Sequence, residues 1–220
     1  MKKLILLSTI ILLLYSCSPE DRVKFEEPQP AAVKESKGFG ALRRGHYTNV
    51  KQPKKGVMIS KNLVTTLRVF QFAANRNTIE ISQMATVDRQ NDSAMIAHFS
   101  KFGGDVKFVG DTMYYSETVI DTFFMINETS VLKHYRRSYY LNFQDDDGFW
   151  EVYRVKFHGD TLLFGEITPN DTLLTYDYAR VDSVKGHPRV KEYVLHPDKK
   201  ELRKLMQSDA FKVTEKYIKD

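Results

Sequence analysis

Cysteine is all but missing: Cys17 is the one example among 220 residues. A single thiol closes no intrachain disulfide, and the region downstream of Cys17 has neither a thiolate metal site nor a cysteine nucleophile. Long apolar runs are missing as well. The longest, Leu4–Leu14, is shorter than the roughly 20 residues that a helix needs to cross about 30 Å of hydrocarbon. Charge of one sign is not in large excess. The chain has 33 basic and 28 acidic residues, a formal +5, and setting Lys2 and Lys3 aside leaves 31 against 28, or +3. The basic residues come in ones and twos (Arg43-Arg44, Lys54-Lys55, Arg136-Arg137, Lys199-Lys200) between acidic ones. That is no nucleic-acid footprint, and nucleic acid is not an expected partner.

Signature motifs of catalysis are lacking too. None of His46, His98, His134, His158, His187 and His196 falls in the HExxH spacing of zinc hydrolases. There is no GxSxG nucleophile elbow and no Walker-type glycine loop, and no cofactor motif of any kind. His158 and Asp160 form a conceivable general-base pair, but their place in a tight turn is better explained by structure. The acidic turn Asp145-Asp146-Asp147-Gly148 invites a calcium reading. An EF-hand puts oxygen ligands at alternate positions around a central Gly. With Gly148 as that Gly, the first ligand position falls on Phe143, so the turn reads as a solvated hairpin.

The amino-terminal end is more informative. Lys2 and Lys3 give a positive start, Leu4–Leu14 is apolar and uncharged, and the hydrophobicity stops at Tyr15-Ser16-Cys17. A basic start, a short apolar stretch and a small residue before a cut describe an export signal. The tetrad Leu14-Tyr15-Ser16-Cys17 resembles the lipobox of bacterial lipoproteins, with Tyr15 in place of the usual small residue. The resemblance implies that residues 1–16 are removed, that Cys17 is lipid-modified, and that the protein is held by acyl chains at the cell envelope, on the outer membrane. One acyl chain binds a bilayer marginally, and two or three hold stably. Residues 18–37 are polar, with Pro19, Pro28 and Pro30, and read as a flexible tether. At about 3.3 Å per residue that tether reaches roughly 65 Å. Glu20 and Asp21, just after Cys17, resemble the acidic surface-export signal of Bacteroidota-type lipoproteins, against the plainer reading that acidic residues are common in linkers.

From Phe39 onward the pattern is mainly β, and residues 38–220 are expected to form one domain. Of 27 aromatic residues, 16 lie between Phe108 and Tyr178. Alternation puts Tyr139, Leu141 and Phe143 on one face of a strand, Tyr153, Val155 and Phe157 on one face of the next, and Leu174, Tyr176 and Tyr178 on a third. Trp150 and Val152 fall on the opposite parity, so that strand is expected to be buried on both sides or bulged. The segment 161–167 is apolar on both parities. Turns at 145–148, 158–160 and 168–171 are too short for parallel crossovers, which predicts an antiparallel β-meander or barrel-like sheet. Further strands are predicted at 57–60, 65–72, 78–83, 106–109, 113–117 and 123–127. A mid-chain helix is predicted over 92–102, opened by Asp92, with Met95, Phe99 and Phe102 on one side. A firmer C-terminal helix follows Asp198, with Glu201 three residues later and a Leu202, Leu205, Met206 stripe. A last extended segment spans 211–218.

Short pieces spread along the chain resemble a group of uncharacterised Bacteroidota-type lipoproteins: FEEPQP at 25–30, LRRGHY at 42–47, DTFFMI at 121–126, YYLNF at 139–143 with WEV at 150–152, and HPDKKEL at 196–202. The resemblance implies location and no mechanism. Gly45-His46-Tyr47 also resembles, weakly, the Gly-x-Trp opening of lipocalin-type barrels. Two sets of candidate residues remain. Trp150, Tyr140 and Tyr178 either line a binding face or fill the core. Asp-(Ser/Thr)-aliphatic triplets at Ser93, Thr112, Thr161, Thr172 and Ser183 resemble the O-glycosylation sequon of exported Bacteroidota-type proteins, and the same pattern serves a hairpin entering a strand. Three functional readings stand: a non-enzymatic module binding an envelope protein, a glycan or a small apolar ligand; an enzyme with a scattered site; and a structural subunit of an envelope complex.

Overall fold

The computed structural model describes residues 22–78, 91–101, 103–168, 178–184, 187–207 and 210–220. It is mainly β with two helices, as the sequence pattern indicates. The strands are β1 Arg22–Phe25, β2 Gly45–Asn49, β3 Lys55–Ile59, β4 Leu63–Asn75, β5 Asp105–Val109, β6 Thr112–Met125, β7 Ser130–Tyr135, β8 Ser138–Gln144, β9 Trp150–His158, β10 Thr161–Ile167, β11 Tyr178–Val184, β12 His187–Leu195 and β13 Phe211–Lys219. The helices are α1 Asp92–Ser100 and α2 Lys199–Gln207. The sheet runs β11-β12-β1-β9-β10-β13-β2-β3-β4-β6-β5, with β8 also on β9 and β7 on β8. It is not closed, so the barrel geometry of the lipocalin likeness does not appear.

The chain makes two compact units from interleaved segments. One takes residues up to Glu35, Glu128–Val155 and Phe164–Thr214; the other takes Ser36–Asn127, Lys156–Leu163 and Glu215–Asp220. Because each unit borrows from three stretches, no composition shift along the chain marks a boundary.

In the first unit the β8–β9 hairpin follows the expected turn, whereas β7 and its hairpin to β8 are an addition to the expected strands. Asp145 Oδ1 accepts from the Asp147 and Phe149 amides at 3.0 and 2.9 Å, which closes the acidic turn as an Asx turn. The expected fourth member of the meander is elsewhere. β10 neighbours β9 and β13, whereas β11 lies beside β12; the turn at 169–171 lies outside the described residues.

The expected tether is folded from Arg22 on. β1 runs parallel to β12 from Arg22↔Glu192 to Phe25↔Leu195, and Val23 and Phe25 enter a core with Tyr140, Trp150, Val152, Leu202, Leu205 and Phe211. Its polar composition hid this, because the partners that satisfy it are far along the chain. Lys24, 5% exposed, meets Asp145 at 2.5 Å and Glu192 at 2.9 Å. The Gln29 amide donates to Asn142 Oδ1 at 2.5 Å, and Asn142 Nδ2 donates to the Gln29, Val131 and Tyr140 carbonyls at 3.0 to 3.1 Å. Lys133 Nζ, also buried, donates to the Pro28 and Pro30 carbonyls at 2.7 and 3.1 Å; burial pulls its pKa below that of an ordinary lysine. Helix α2 starts as expected, with the Glu201 amide donating to Asp198 Oδ1 at 2.7 Å and the Asp198 amide to Glu201 Oε2 at 2.9 Å, a capping box.

In the second unit β2, β3, β4, β6 and β5 form consecutive antiparallel pairs, and the two strands predicted at 113–117 and 123–127 are one continuous β6. Of the strand predicted at 78–83, Thr78 ends a short 3-10 turn, Arg76–Thr78, and residues 79–83 lie outside the described residues. Helix α1 packs Met95 and Phe99 onto Met113 and Tyr115, with Ala74, Val106 and Phe108 beside them. Its cap is Asn91, whose side chain accepts from the Ala94 amide at 3.2 Å. Asp92, expected to cap, instead pairs with buried Arg76 at 2.8 Å; Arg76 also donates to the Gly110 carbonyl at 3.0 Å and lies over the Phe108 ring at 4.7 Å.

Candidate binding face

β4 and β6 form the longest ladder, from Leu63↔Met125 to Asn75↔Thr112 with one bulge at Val64/Thr65. Facing residues of an antiparallel pair project to the same side. One side therefore carries Phe70, Phe72, Ala74, Met113 and Tyr115, and α1 covers its end. The other side carries the pairs Leu67–Ile120, Val69–Thr118, Gln71–Ser116 and Ala73–Tyr114, and β5 adds Lys107 opposite Tyr114 and Val109 opposite Thr112. Among the described residues no helix packs on this second side. Ile120 is 61% exposed, Val109 56% and Tyr114 48%.

Toward the β5 end lies an open depression of about 480 Å³ lined by Gln71, Phe72, Ala73, Lys107, Tyr114 and Tyr115 among others. Its wall is stiff. The Tyr115 ring sits 5.0 Å from Phe72 and 5.5 Å from Phe99, and its hydroxyl donates to Glu117 at 2.8 Å. Burial, then the bond to Glu117, raises the Tyr115 pKa, so this hydroxyl stays a proton donor at neutral pH. The depression offers apolar surface, the Tyr114 and Tyr115 phenols, the Lys107 ammonium, the Gln71 amide, the Ser116 hydroxyl and the Asp105 carboxylate that faces Ser116 across the β5–β6 pair.

Of the expected ligand-facing aromatics, Trp150 is 8% and Tyr140 2% exposed. Both belong to the first unit's core, where the Tyr140 ring meets Phe211 edge-on at 5.8 Å. They are packing residues, because β8 and β9 turn those positions inward. Tyr178 opens β11 opposite Leu195, and its side chain lies outside the described set. Ser93 is exposed in the first turn of α1, while Thr112 and Thr161 are half-buried at strand starts, directly after Gly110-Asp111 and Gly159-Asp160. The hairpin-entry pattern accounts for those two. Cys17 and Thr172 lie outside the described residues, as does the side chain of Ser183.

Two histidines pair with carboxylates, His196 with Glu26 at 2.7 Å and His46 with Asp220, which also accepts from Thr48 at 2.8 Å. The bonds to His46 and Thr48 hold the Asp220 carboxyl below its usual pKa. Both pairs are at the surface, and the second fastens Asp220, the residue after β13, to β2. His158 is exposed at the end of β9, and no bond to Asp160 is formed. No group of three His, Cys, Asp or Glu able to hold a metal ion occurs among the described residues.

The exposed ladder face escaped the sequence reading, although a signal was present. Residues 63–72 (LVTTLRVFQF) place apolar side chains on both parities, Leu67 and Val69 against Phe70 and Phe72. A strand apolar on both sides is either buried twice or exposes one apolar side, and the sequence does not say which. These features define a class, an open, mainly β protein with a long two-stranded ladder that exposes apolar side chains. Beyond that class, the chain matches no protein-family model, no curated protein and no solved structure with which it was compared.

Proposed function

We propose that the protein is a lipid-anchored lipoprotein of the bacterial cell envelope, held at a membrane through Cys17, and that it works as a non-enzymatic module whose ladder face binds an envelope protein. The observation that carries the binding role is the exposed Ile120, Tyr114 and Val109, continued on the same side of the ladder by half-buried Leu67 and Val69. Single exposed apolar residues are ordinary, whereas a contiguous stripe on a stiff ladder marks an interaction surface. Covering about 200 Å² of it is worth roughly 5 kcal/mol before the cost of association. A protein suits the stripe better than a glycan, since Tyr114 is its one aromatic ring and sugars stack on rings. The anchor rests on the Leu14-Tyr15-Ser16-Cys17 tetrad.

Intact mass of protein purified from its host membrane tests the anchor: loss of residues 1–16 with a gain of two or three acyl chains is expected, and an unmodified Cys17 refutes it. The binding role is tested by a photo-crosslinker at position 120 in living cells. A discrete crosslinked species that disappears when Tyr114→Lys is added supports it. An identical pattern from a crosslinker on the opposite, α1-covered side would sink it.

A further inference from the structure

The hairpin between β7 and β8 has a two-residue turn, Arg136-Arg137, closed by the pair Tyr135↔Ser138. Arg136 has φ 57°, in the left-handed region that side chains with a Cβ avoid. Two other two-residue turns of this chain, at Gly110-Asp111 and Gly159-Asp160, put glycine at that first position, with φ 57° and 56°. Arginine thus occupies a site where the same fold elsewhere uses glycine, and such retained strain points to function. The surroundings are cationic and aromatic. Arg136 lies 5.3 Å over the Tyr135 ring, and exposed His134 stacks on Tyr139 at 4.4 Å. Arg136 and Arg137 are exposed, and among the described residues the Arg137 side chain makes no ion pair.

This tip lies at the end of the first unit where the chain arrives from Cys17. β1 is antiparallel to β9, with Phe25 against Trp150, so Arg22 points back along β9 toward its later residues; the Arg22 charge acts on Tyr153. β8 begins, and β7 ends, at that same end, because β9 follows β8 through the Asp145–Phe149 hairpin. From the level of Tyr153 the tip is roughly 13–16 Å further along β8. The five residue steps from Cys17 to Arg22 span at most about 18 Å. β12, parallel to β1, starts at this end too.

We infer that this end of the first unit is a second membrane contact, in which the Arg136-Arg137 turn, with half-buried Tyr135 beside it, docks on the phosphates of an anionic bilayer. The inference rests on the anchored reading given above. Arginine suits phosphate through its planar donor fork, tyrosine is at home at the headgroup level, and each cation near an anionic surface adds binding that salt weakens. Acyl chains and tip then hold the unit in one orientation.

The test uses the chain from Cys17 to Asp220 made without its signal segment, hence never acylated, so the result does not depend on whether Cys17 is lipidated in the host. Its partition onto vesicles of phosphatidylcholine alone and with 30% phosphatidylglycerol is measured by sedimentation at low and physiological salt. Preference for the anionic vesicles is expected, falling about tenfold or more in R136E/R137E and much less in R136K/R137K. Arg137→Glu alone leaves the strained position untouched and guards against misfolding; a weakened partition is expected there as well. Equal partition onto both vesicles, no loss in R137E and the double variant, or saturable binding of inorganic phosphate without any vesicle preference overturns the proposal.

Discussion

Replacing Lys24 by methionine keeps most of the length of the side chain and removes its charge from a buried position in the first unit. The ammonium is 6% exposed and stands between Asp145, 22% exposed, and Glu192, 15% exposed. Burial alone lowers the Lys24 pKa, but its bonds to the two carboxylates outweigh this and hold it above 10.5. Burial alone raises the Asp145 pKa, and the Lys24 bond with the Phe149 and Asp147 amides outweighs that, holding it below 3.8. Breaking a buried pair by removing one partner costs about 3–5 kcal/mol. Partial access of water to both carboxylates puts this case near 3 kcal/mol. For a chain of this size that is a fall in Tm of roughly 6–12 °C at pH 7. The sign with pH follows from the two shifts. A lowered Asp145 contributes stability above pH 3.8 that is lost as pH falls through its folded value. A raised Lys24 contributes stability below pH 10.5 that is lost as pH rises through its folded value. The difference between wild type and K24M is therefore greatest between these limits and shrinks below about pH 4. Thermal unfolding followed by circular dichroism from pH 2.5 to 8 measures it. A difference under 2 °C at pH 7, or one that persists unchanged at pH 3, refutes the reasoning.

Asn142→Ala strands the Gln29 amide and carbonyl, of a residue 1% exposed, and is expected to cost about 3–5 kcal/mol; hydrogen exchange at Gln29 and Ala31 rises with it, and unchanged exchange counts against the clamp. A Cβ at Gly104 collides with the Tyr115 ring, which Phe72, Phe99 and Glu117 hold in place. Gly104→Ala should therefore cost about 1–3 kcal/mol, loosening α1 from β5 and β6, and fluorescence or amide exchange confined to that unit checks it. Arg136→Gly relieves the left-handed position and is expected to stabilise by about 0.5–1 kcal/mol; a destabilised variant contradicts the strain assigned to Arg136.

The elements that were legible in the sequence are those whose instructions are local. The acidic hairpin at Asp145–Gly148, the capping box of α2 and the extended course of 211–218 each depend on residues within a few positions of one another. β9 shows where locality ends. Its apolar residues change parity, Trp150 and Val152 on one side and Val155 and Phe157 on the other, and both sets are buried. Trp150 and Val152 pack in the first unit's core, while Phe157, a residue of the second unit, meets the Tyr47 ring at 6.0 Å. Burial of both parities is visible in the sequence, and the partners of each set are not. Val213 of the last strand is 48% exposed for the converse reason: alternation marks a face, and only tertiary packing decides how much of it is covered. The polar residues that hold the fold, Lys24, Lys133, Asn142 and Arg76, had no local signal, since each meets a partner dozens of residues away.

The same long-range pairing changes what the anchor means. Twenty flexible residues after Cys17 allow a domain to search some tens of ångströms of space above a membrane. With β1 starting at Arg22 between β12 and β9, most of that reach is gone. A protein held by acyl chains through so short a link meets the bilayer with one particular end, and the residues at that end answer to the membrane as well as to the fold. Glycine would relieve the turn at 136, and the chain uses glycine at two equivalent turns; arginine at this one is intelligible if the turn faces phosphate. On the proposal that Cys17 carries the anchor, the residue that sets location also sets orientation.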